Sequence, residues 1–257
     1  MRRVFLLAAA LLVTLAATPV LAPRAWAAPG GPVGKLTWMG QSCFLLETAA
    51  GTKILMDPFQ KAAGYPLPAG LRADLITVSH EHPDHDNVKM VVNSPKVIHG
   101  ITADRKGWVR VDEKFRDVAI RTVGVYHDDK RGAVRGLDTV FIFEVGGLRI
   151  AHLGDLGHLL DDEELEAIGS VDVLMVPVGG HTTLDAYHAT RVVDQLHPRL
   201  MVIPMHYRTD VPATKDLDPV DPFLERKANV HRPTTPTISL TPVKARPATE
   251  LVVLPYR

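Results

Sequence analysis

Four apolar runs in this chain stop at a metal-ligand residue, and that recurrence limits the possible folds more than any other feature. Leu75-Ile76-Thr77-Val78 leads through Ser79 into His80, and Val123-Gly124-Val125-Tyr126 leads into His127. Ile150-Ala151-His152-Leu153-Gly154 leads into Asp155, and Val202-Ile203-Pro204-Met205 leads into His206. Short runs rich in β-branched residues and bounded by turn formers read as strands. In α/β sheets, binding sites form beyond the strand ends, so four strands delivering His or Asp to one rim is the pattern a metal site requires.

The first run opens onto Ser79-His80-Glu81-His82-Pro83-Asp84-His85-Asp86-Asn87, which places His80, His82, Asp84 and His85 within six residues. Two histidines spaced i, i+2 on extended chain project to the same side and can chelate one ion. The Asp84-His85 pair in the following turn can reach a second. The spacing therefore predicts a two-metal site. Any one of the twelve histidines taken alone reads better as a surface residue in a polar turn. A string with four specified positions is much rarer by chance than a lone His-x-His.

With 257 residues, 46% of them hydrophobic, the chain can bury a sizeable core, and one domain over residues 35–257 holds all four runs. Residues 28–34 form a Pro/Gly linker, and residues 1–27 read as a signal peptide. Arg2 and Arg3 make its basic start, an Ala/Leu/Val-rich stretch follows from Val4, and Ala25-Trp26-Ala27 supplies a small-x-small cleavage pattern. Export to the periplasm or the exterior is the expectation. Arg2-Arg3-Val4-Phe5-Leu6 resembles the twin-arginine signal, with an ordinary secretory signal as the alternative. An uncleaved anchor over Val4 to Leu21 is weakened by Thr14, Thr18 and Pro19, and no stable membrane anchor is expected after cleavage. Without the first 27 residues, 26 bases face 29 acids. That balance argues against general nucleic-acid binding. Cys43 is the only cysteine, which excludes an internal disulfide, and Cys43-Phe44-Leu45-Leu46 reads as buried chain.

Strands are predicted over 35–39, 42–47 and 53–56 as a β-meander, then over 75–78, 96–99, 118–125, 139–145, 148–153, 171–176, 200–203 and 251–254, with Gly146-Gly147 as a hairpin turn. A helix is expected over 161–168, with acids in its first turn, and a second over 186–196, capped by Asp185 and ended by His197-Pro198. Residues 59–72 read as a loop. Beyond Thr209, eight of the twenty prolines mark a segment that wraps the domain.

Asp57-Pro58, the His80 to His85 string, His127, Gly154-Asp155 and Pro204-Met205-His206 occur in that order. Together they resemble the metallo-β-lactamase superfamily over Lys35 to Asp210, most closely the branch that includes ascorbate-6-phosphate lactonase and related metal-dependent hydrolases. The resemblance implies an α/β fold, a four-layer αββα sandwich with metals at one edge of the paired sheets. It also implies that His80, His82 and His127 hold one metal, that Asp84, His85 and His206 hold the other, and that Asp155 bridges. Asp57 then supports the ligand loop by hydrogen bonding. Two divalent transition-metal ions follow, zinc first, with manganese or iron as alternatives. Two such ions roughly 3.5–4 Å apart can hold a bridging water and lower its pKa from 15.7 toward about 7. Asp84, His206 and Asp155 become the catalytic positions, Asp84 orienting the hydroxide. Family members that cleave β-lactams lack a bridging carboxylate where Asp155 stands. The implied activity is thus hydrolysis of a small ester-like substrate, with a lactone or phosphodiester favoured.

Further residues are candidates for substrate contact or proton donation. His158 and His181 lie on loops near the expected site, and Tyr207 follows His206, although packing of its ring is the plainer reading. Lys130, Arg131 and Arg135 lie among glycines after His127 and can reach an anionic group, or form a solvated basic turn. The rival to an enzyme is a metal-binding or interaction protein that keeps the fold without turnover. All seven ligand positions being filled with competent side chains favours the enzyme.

Overall fold

A computed structural model describes residues 31–243 and 248–257. The signal segment over 1–27 and the first part of the 28–34 linker lie outside the described residues. The chain opens as the expected antiparallel meander of β1 (Gly34–Gly40), β2 (Cys43–Thr48) and β3 (Lys53–Met56). It continues in parallel through β4 (Leu75–Val78) and β5 (Lys96–His99).

A second sheet begins with β6 (Asp112–Phe115), β7 (Val118–Tyr126), β8 (Leu137–Val145) and β9 (Leu148–His152), each antiparallel to the one before. Gly146 and Gly147, at φ 54° and 85°, make the tight turn between β8 and β9 that only residues tolerant of positive φ can make. The sheet then turns parallel through β10 (Val173–Pro177) and β11 (Met201–Met205). The C-terminal region supplies β12 (Val230–His231), β13 (Thr237–Leu240) and β14 (Glu250–Val252). The orders are β13-β1-β2-β3-β4-β5 and β12-β14-β11-β10-β9-β8-β7-β6.

One core spans both sheets, joining Leu36, Trp38, Phe44 and Ile54 of the first to Ile120, Phe141, Phe143 and Ile150 of the second. Each such side chain contributes roughly 1.5–3 kcal/mol relative to exposure, which holds the strand ends in fixed positions. Strands β9, β10 and β11 are buried at every position, so both of their faces are covered. The helices supply that cover. Helix α1 (Asp162–Ile168) starts on a full capping box of Asp161 and Glu164. Helix α2 (Ala186–Leu196) starts where Asp185 accepts from the His188 amide, and it buries Ala189, Val192 and Leu196 along one stripe.

The first sheet is covered differently. Leu55, Phe59, Tyr65, Ile76 and Val78 form a separate cluster with Met90, roofed by 3₁₀ turns at Lys61–Ala63 and Val88–Met90. Gly64, Pro66 and Pro68 stop a longer helix there. Strands β6, β12 and β13 and the short helix α3 (Asp221–Leu224) have no counterpart in the sequence reading. They are brief, polar or flanked by proline, and they owe their order to the edges they pair with. Among the described residues, no helix is long and apolar enough to cross a membrane.

Both β7 and β9 run antiparallel to β8, and β9, β10 and β11 are parallel, so the chain leaves β7, β9 and β11 at the same edge. His127, Asp155 and His206 follow these strands directly or within three residues.

Candidate metal centre

The loops that carry the ligands leave their strands sharply. Asp57 follows β3 at φ 44°, His206 follows β11 at φ 51°, and Gln41 sits in the β1–β2 turn at φ 52°. A side-chain-bearing residue in this left-handed region is held there by its surroundings, and such residues cluster at functional sites. Two glycines let neighbouring backbones press against the ligands. A Cβ on Gly157 would lie 2.6 Å from the Asp128 amide and still closer to the His127 carbonyl. On Gly179 it would lie 2.9 Å from Tyr207 Cα and closer to the His206 carbonyl.

The seven residues singled out as ligands come together at this edge. Donor atoms lie within 4.8 Å of one another in three overlapping sets: His80, His82 and His127; His80, His85 and Asp155; and Asp84, His85 and His206. Asp155 Oδ2 is the hub. It lies 3.2 Å from His85 Nε2, 3.3 Å from both His127 Nε2 and His206 Nε2, and 4.0 Å from His80 Nε2. His80 Nε2 and His82 Nδ1 are 2.9 Å apart, and Asp84 Oδ2 lies 3.6 Å and 3.7 Å from His85 and His206 Nε2. His85 Nε2 is buried with no hydrogen-bond partner. Imidazole nitrogens and carboxylate oxygens converging in this way fit a divalent transition-metal ion.

Hydrogen bonds on the far side of the rings select the nitrogens that face inward. His85 Nδ1 donates to Asp57 Oδ2 at 2.9 Å, which frees Nε2 for the cluster. Asp57 also accepts the Ser79 amide at 2.8 Å and the Ser79 hydroxyl at 2.5 Å, so it lies behind the ligands and outside the cluster. His80 Nδ1 lies 3.0 Å from Ser79 Oγ and 3.2 Å from Asp138 Oδ1, a second carboxylate behind a ligand ring.

The electrostatics follow from this packing. Burial alone would push the Asp155 carboxyl up, but the imidazoles of His206, His85 and His127 outweigh it and hold it well below the usual carboxylate range. Burial, then the His80 and His127 rings, lower the His82 imidazole to about 4. Burial opposes the charge on His85 too, yet Asp155 and Asp84 pull that imidazole well above its ordinary value.

Four residues of this network escaped the sequence reading. Gln41 Nε2 lies 2.9 Å from both Asp84 Oδ2 and His206 Nε2, while its backbone carbonyl accepts the His206 amide at 3.2 Å. Ser42 Oγ reaches Asp155 Oδ1 at 3.4 Å, and Ser79 and Asp138 act as above. Asp138 left a weak signal, an acid just before the apolar run Val140 to Phe143 of β8. Gln41 left only its place at the tip of a turn.

The remaining sequence candidates surround the cluster. Tyr207 is buried with its ring stacked on Trp38 at 5.3 Å, and burial raises the pKa of its hydroxyl, so its ring packs in the core. His158 Nε2 accepts the Tyr126 amide at 3.1 Å and its Nδ1 donates to the Leu159 carbonyl at 2.8 Å, so both ring nitrogens have backbone partners. His181 and Arg131 are exposed, and Lys130 pairs with Asp129 at 3.1 Å. The loop after His127 is held in place despite its glycines. The Asp128 carboxylate accepts the amides of Lys130, Gly132, Val134 and Arg135 at 2.8, 2.9, 3.0 and 2.6 Å. Arg135 is thereby set on the wall of a recess shared with His80 and His82.

Known proteins resemble this chain in sequence and fold. Residues 35–206 match the beta-lactamase superfamily domain. A UPF0173 protein of Pyrococcus furiosus is 32% identical over 189 residues, spanning 68% of this chain and 84% of its own. A UPF0173 metal-dependent hydrolase of Carboxydothermus hydrogenoformans is 32% identical over 196 residues, spanning 68% and 85%. Among solved structures, a candidate Zn-dependent hydrolase of the metallo-β-lactamase superfamily from Thermotoga maritima is 33% identical. It superposes with a TM-score of 0.67 over 86% of this chain and 98% of that one. Igni18, a metallo hydrolase from Ignicoccus hospitalis, is 28% identical with a TM-score of 0.54, over 70% and 85%. By class, then, the protein is a metal-dependent hydrolase. The chain belongs to the metallo-β-lactamase superfamily, among its UPF0173 members.

Proposed function

We propose that the cluster holds two divalent transition-metal ions and that the protein uses them to hydrolyse a small ester-like substrate, a lactone or a phosphodiester. The observation that carries this reading is the position of Asp155 Oδ2, within 3.3 Å of imidazole nitrogens from three separate loops. Five imidazoles against two carboxylates favour zinc, with manganese or iron as alternatives. Bound there, such ions supply Lewis acidity and make a water acidic enough to serve as hydroxide near neutral pH.

The chain's own residues do the rest. His80, His82 and His127 form one side of the cluster and Asp84, His85 and His206 the other, with Asp155 joining them. The Asp84 side chain is 35% exposed where those of Asp155 and His206 are 3%, so it is the carboxylate placed to orient an incoming water by accepting its proton in a hydrogen bond. Gln41 Nε2 donates to Asp84 Oδ2 at 2.9 Å and holds that carboxylate in place. Beside it, a recess of about 270 Å³ bounded by Gln41, Pro83, Asp84 and Thr214 gives water access to that carboxylate.

Elemental analysis of fully metallated protein, combined with a screen of lactones, phosphodiesters, thioesters and β-lactams, tests the proposal. The expected result is two ions per chain, turnover in the lactone or phosphodiester class, and loss of both ion and turnover in Asp155→Ala. Saturation at one ion, or full activity in Asp155→Ala, overturns it. Bound metal with no turnover of any class would replace it with the non-catalytic reading.

A further inference from the structure

A cavity of about 760 Å³ opens at β5 and the segment 101–113, where the edge strands β5 and β6 end the two sheets. This volume lies within the roughly 300–1,000 Å³ of small-molecule sites. Val97, Ile98, Ile101, Val109 and Val111 give it an apolar wall. A smaller recess of about 90 Å³ adjoins it, bounded by His80, His82, Leu137, Arg105 and Arg135. Glu81, Ile101 and Arg105 line both spaces. Water occupies roughly 30 Å³ per molecule in the liquid, so the recess has room for a phosphate or carboxylate group and little more.

The charges lining these spaces are unbalanced. Lys96 is engaged by Glu113, and His99 by Glu81 at 3.2 Å. The cations left over are Arg105, Arg110 and Arg135, against the carboxylates of Asp112 and Glu81, the latter facing a histidine that is charged only if protonated. Among the described residues, neither Arg105 nor Arg135 has a carboxylate partner. Arg135 is aimed by the Asp128 hydrogen bonds and by its own Nη2 donating to the His181 carbonyl at 3.3 Å. Glu81 Oε2, on the shared wall, is buried with no hydrogen-bond partner and offers an acceptor to a ligand hydroxyl or amide.

From this we infer that the substrate is anionic. It is an ester carrying a phosphate or carboxylate that Arg105 and Arg135 grip beside His82, with an apolar or aromatic remainder in the larger cavity. Guanidinium groups recognise such planar or tetrahedral oxyanions through paired hydrogen bonds. The inference rests on the hydrolase reading for the fate of the ligand, and on the two recesses alone for its binding. Arg105 lies in Asp104-Arg105-Lys106, where the sequence looks like any solvated turn.

Calorimetric binding of 1-naphthyl phosphate, 1-naphthoate and 1-naphthol to the metal-loaded protein tests it, the first two probes separating phosphate from carboxylate. At least one anion should bind about tenfold or more tightly than naphthol. Arg105→Gln with Arg135→Gln should weaken that anion by about tenfold or more and change naphthol by less than about twofold. Ala103→Trp, at an exposed position on the larger cavity's wall, should weaken all three probes. If the double variant loses metal, Arg105→Gln alone carries the test, with at least about a threefold loss expected. The inference is overturned if no probe binds, if naphthol binds as tightly as the anions, or if the arginine variants bind the anions like the wild type. Anion binding without turnover of any ester would sink the hydrolase reading and leave this one standing. Turnover of neutral esters that is indifferent to both arginines would do the reverse.

Discussion

Replacing Asp57 by Asn isolates the role of a carboxylate that touches a ligand ring from behind. Asp57 is fully buried and receives three donors: the Ser79 amide at 2.8 Å, the Ser79 hydroxyl at 2.5 Å and His85 Nδ1 at 2.9 Å. Asn keeps the shape and tolerates φ 44°, so the backbone need not move. Its Oδ1 can still accept the Ser79 amide, but its NH₂ group would face two donors. The simplest repair moves the His85 proton from Nδ1 to Nε2, the nitrogen 3.2 Å from Asp155, and thereby blocks a ligand atom. Loss of such a supporting partner reduces metal affinity by about 10–100-fold, or about 1.4–2.8 kcal/mol. A mispaired buried group also lowers folding stability by about 1–3 kcal/mol. Titration of metal against a chromophoric chelator should show one binding step weakened 10–100-fold, on the order expected for a supporting hydrogen bond, and the other nearly unchanged. Wild-type affinity at both steps would refute the tautomer argument. Equal weakening of both would show that Asp57 acts through the whole loop.

Two further substitutions test the scaffold around His127. Gly157→Ala would drive a Cβ into the His127 backbone, which cannot yield as a flexible side chain would. It should destabilise the fold by about 1–3 kcal/mol. At roughly 2–4 °C per kcal/mol for a domain of this size, thermal denaturation should show a drop of about 2–12 °C. Asp128→Asn should loosen the loop that sets Arg135, so the amides of Lys130, Gly132, Val134 and Arg135 should exchange hydrogen at least about tenfold faster near neutral pH. Burial would raise the Asp128 carboxyl, but the amides of Arg135, Lys130, Val134 and Gly132 outweigh it and hold it low. A depressed folded value means that the stabilisation is complete above the unfolded pKa of about 3.9 and is lost as pH falls through the folded one. Wild-type loop protection should therefore vanish on acidification through that range, whereas the Asn variant should show no such step.

The clustering of the candidate ligands was legible because strand ends and His or Asp residues coincide in the chain. His127 and His206 directly follow the last residues of β7 and β11, and the His80 to His85 string follows β4. Helix α2 was equally readable, since Asp185 caps it and His197 ends it in the left-handed conformation. Contacts between sequence-distant residues were not readable. Gln41 meets His206 across 165 positions, and nothing local to either residue encodes that meeting. Tyr207 misleads for the same reason. Standing next to a ligand suggests chemistry, but the chain turns at His206 and sends the following ring onto Trp38. Edge strands such as β6 take their order from a neighbour, so their own residues carry little pattern.

The candidate ligands are divided between layers. His80, His82, Asp84 and His85 hang from the first sheet, and His127, Asp155 and His206 from the second. A cation held by both halves is a rivet through the sandwich as well as a reagent. Metal present at about 1,000 times its dissociation constant would add roughly 4.1 kcal/mol to stability by mass action. That is a large share of the about 5–15 kcal/mol by which a domain typically holds together. Metal supply would then govern how long each molecule survives, and a chain that misses its cation would be the one proteases reach first.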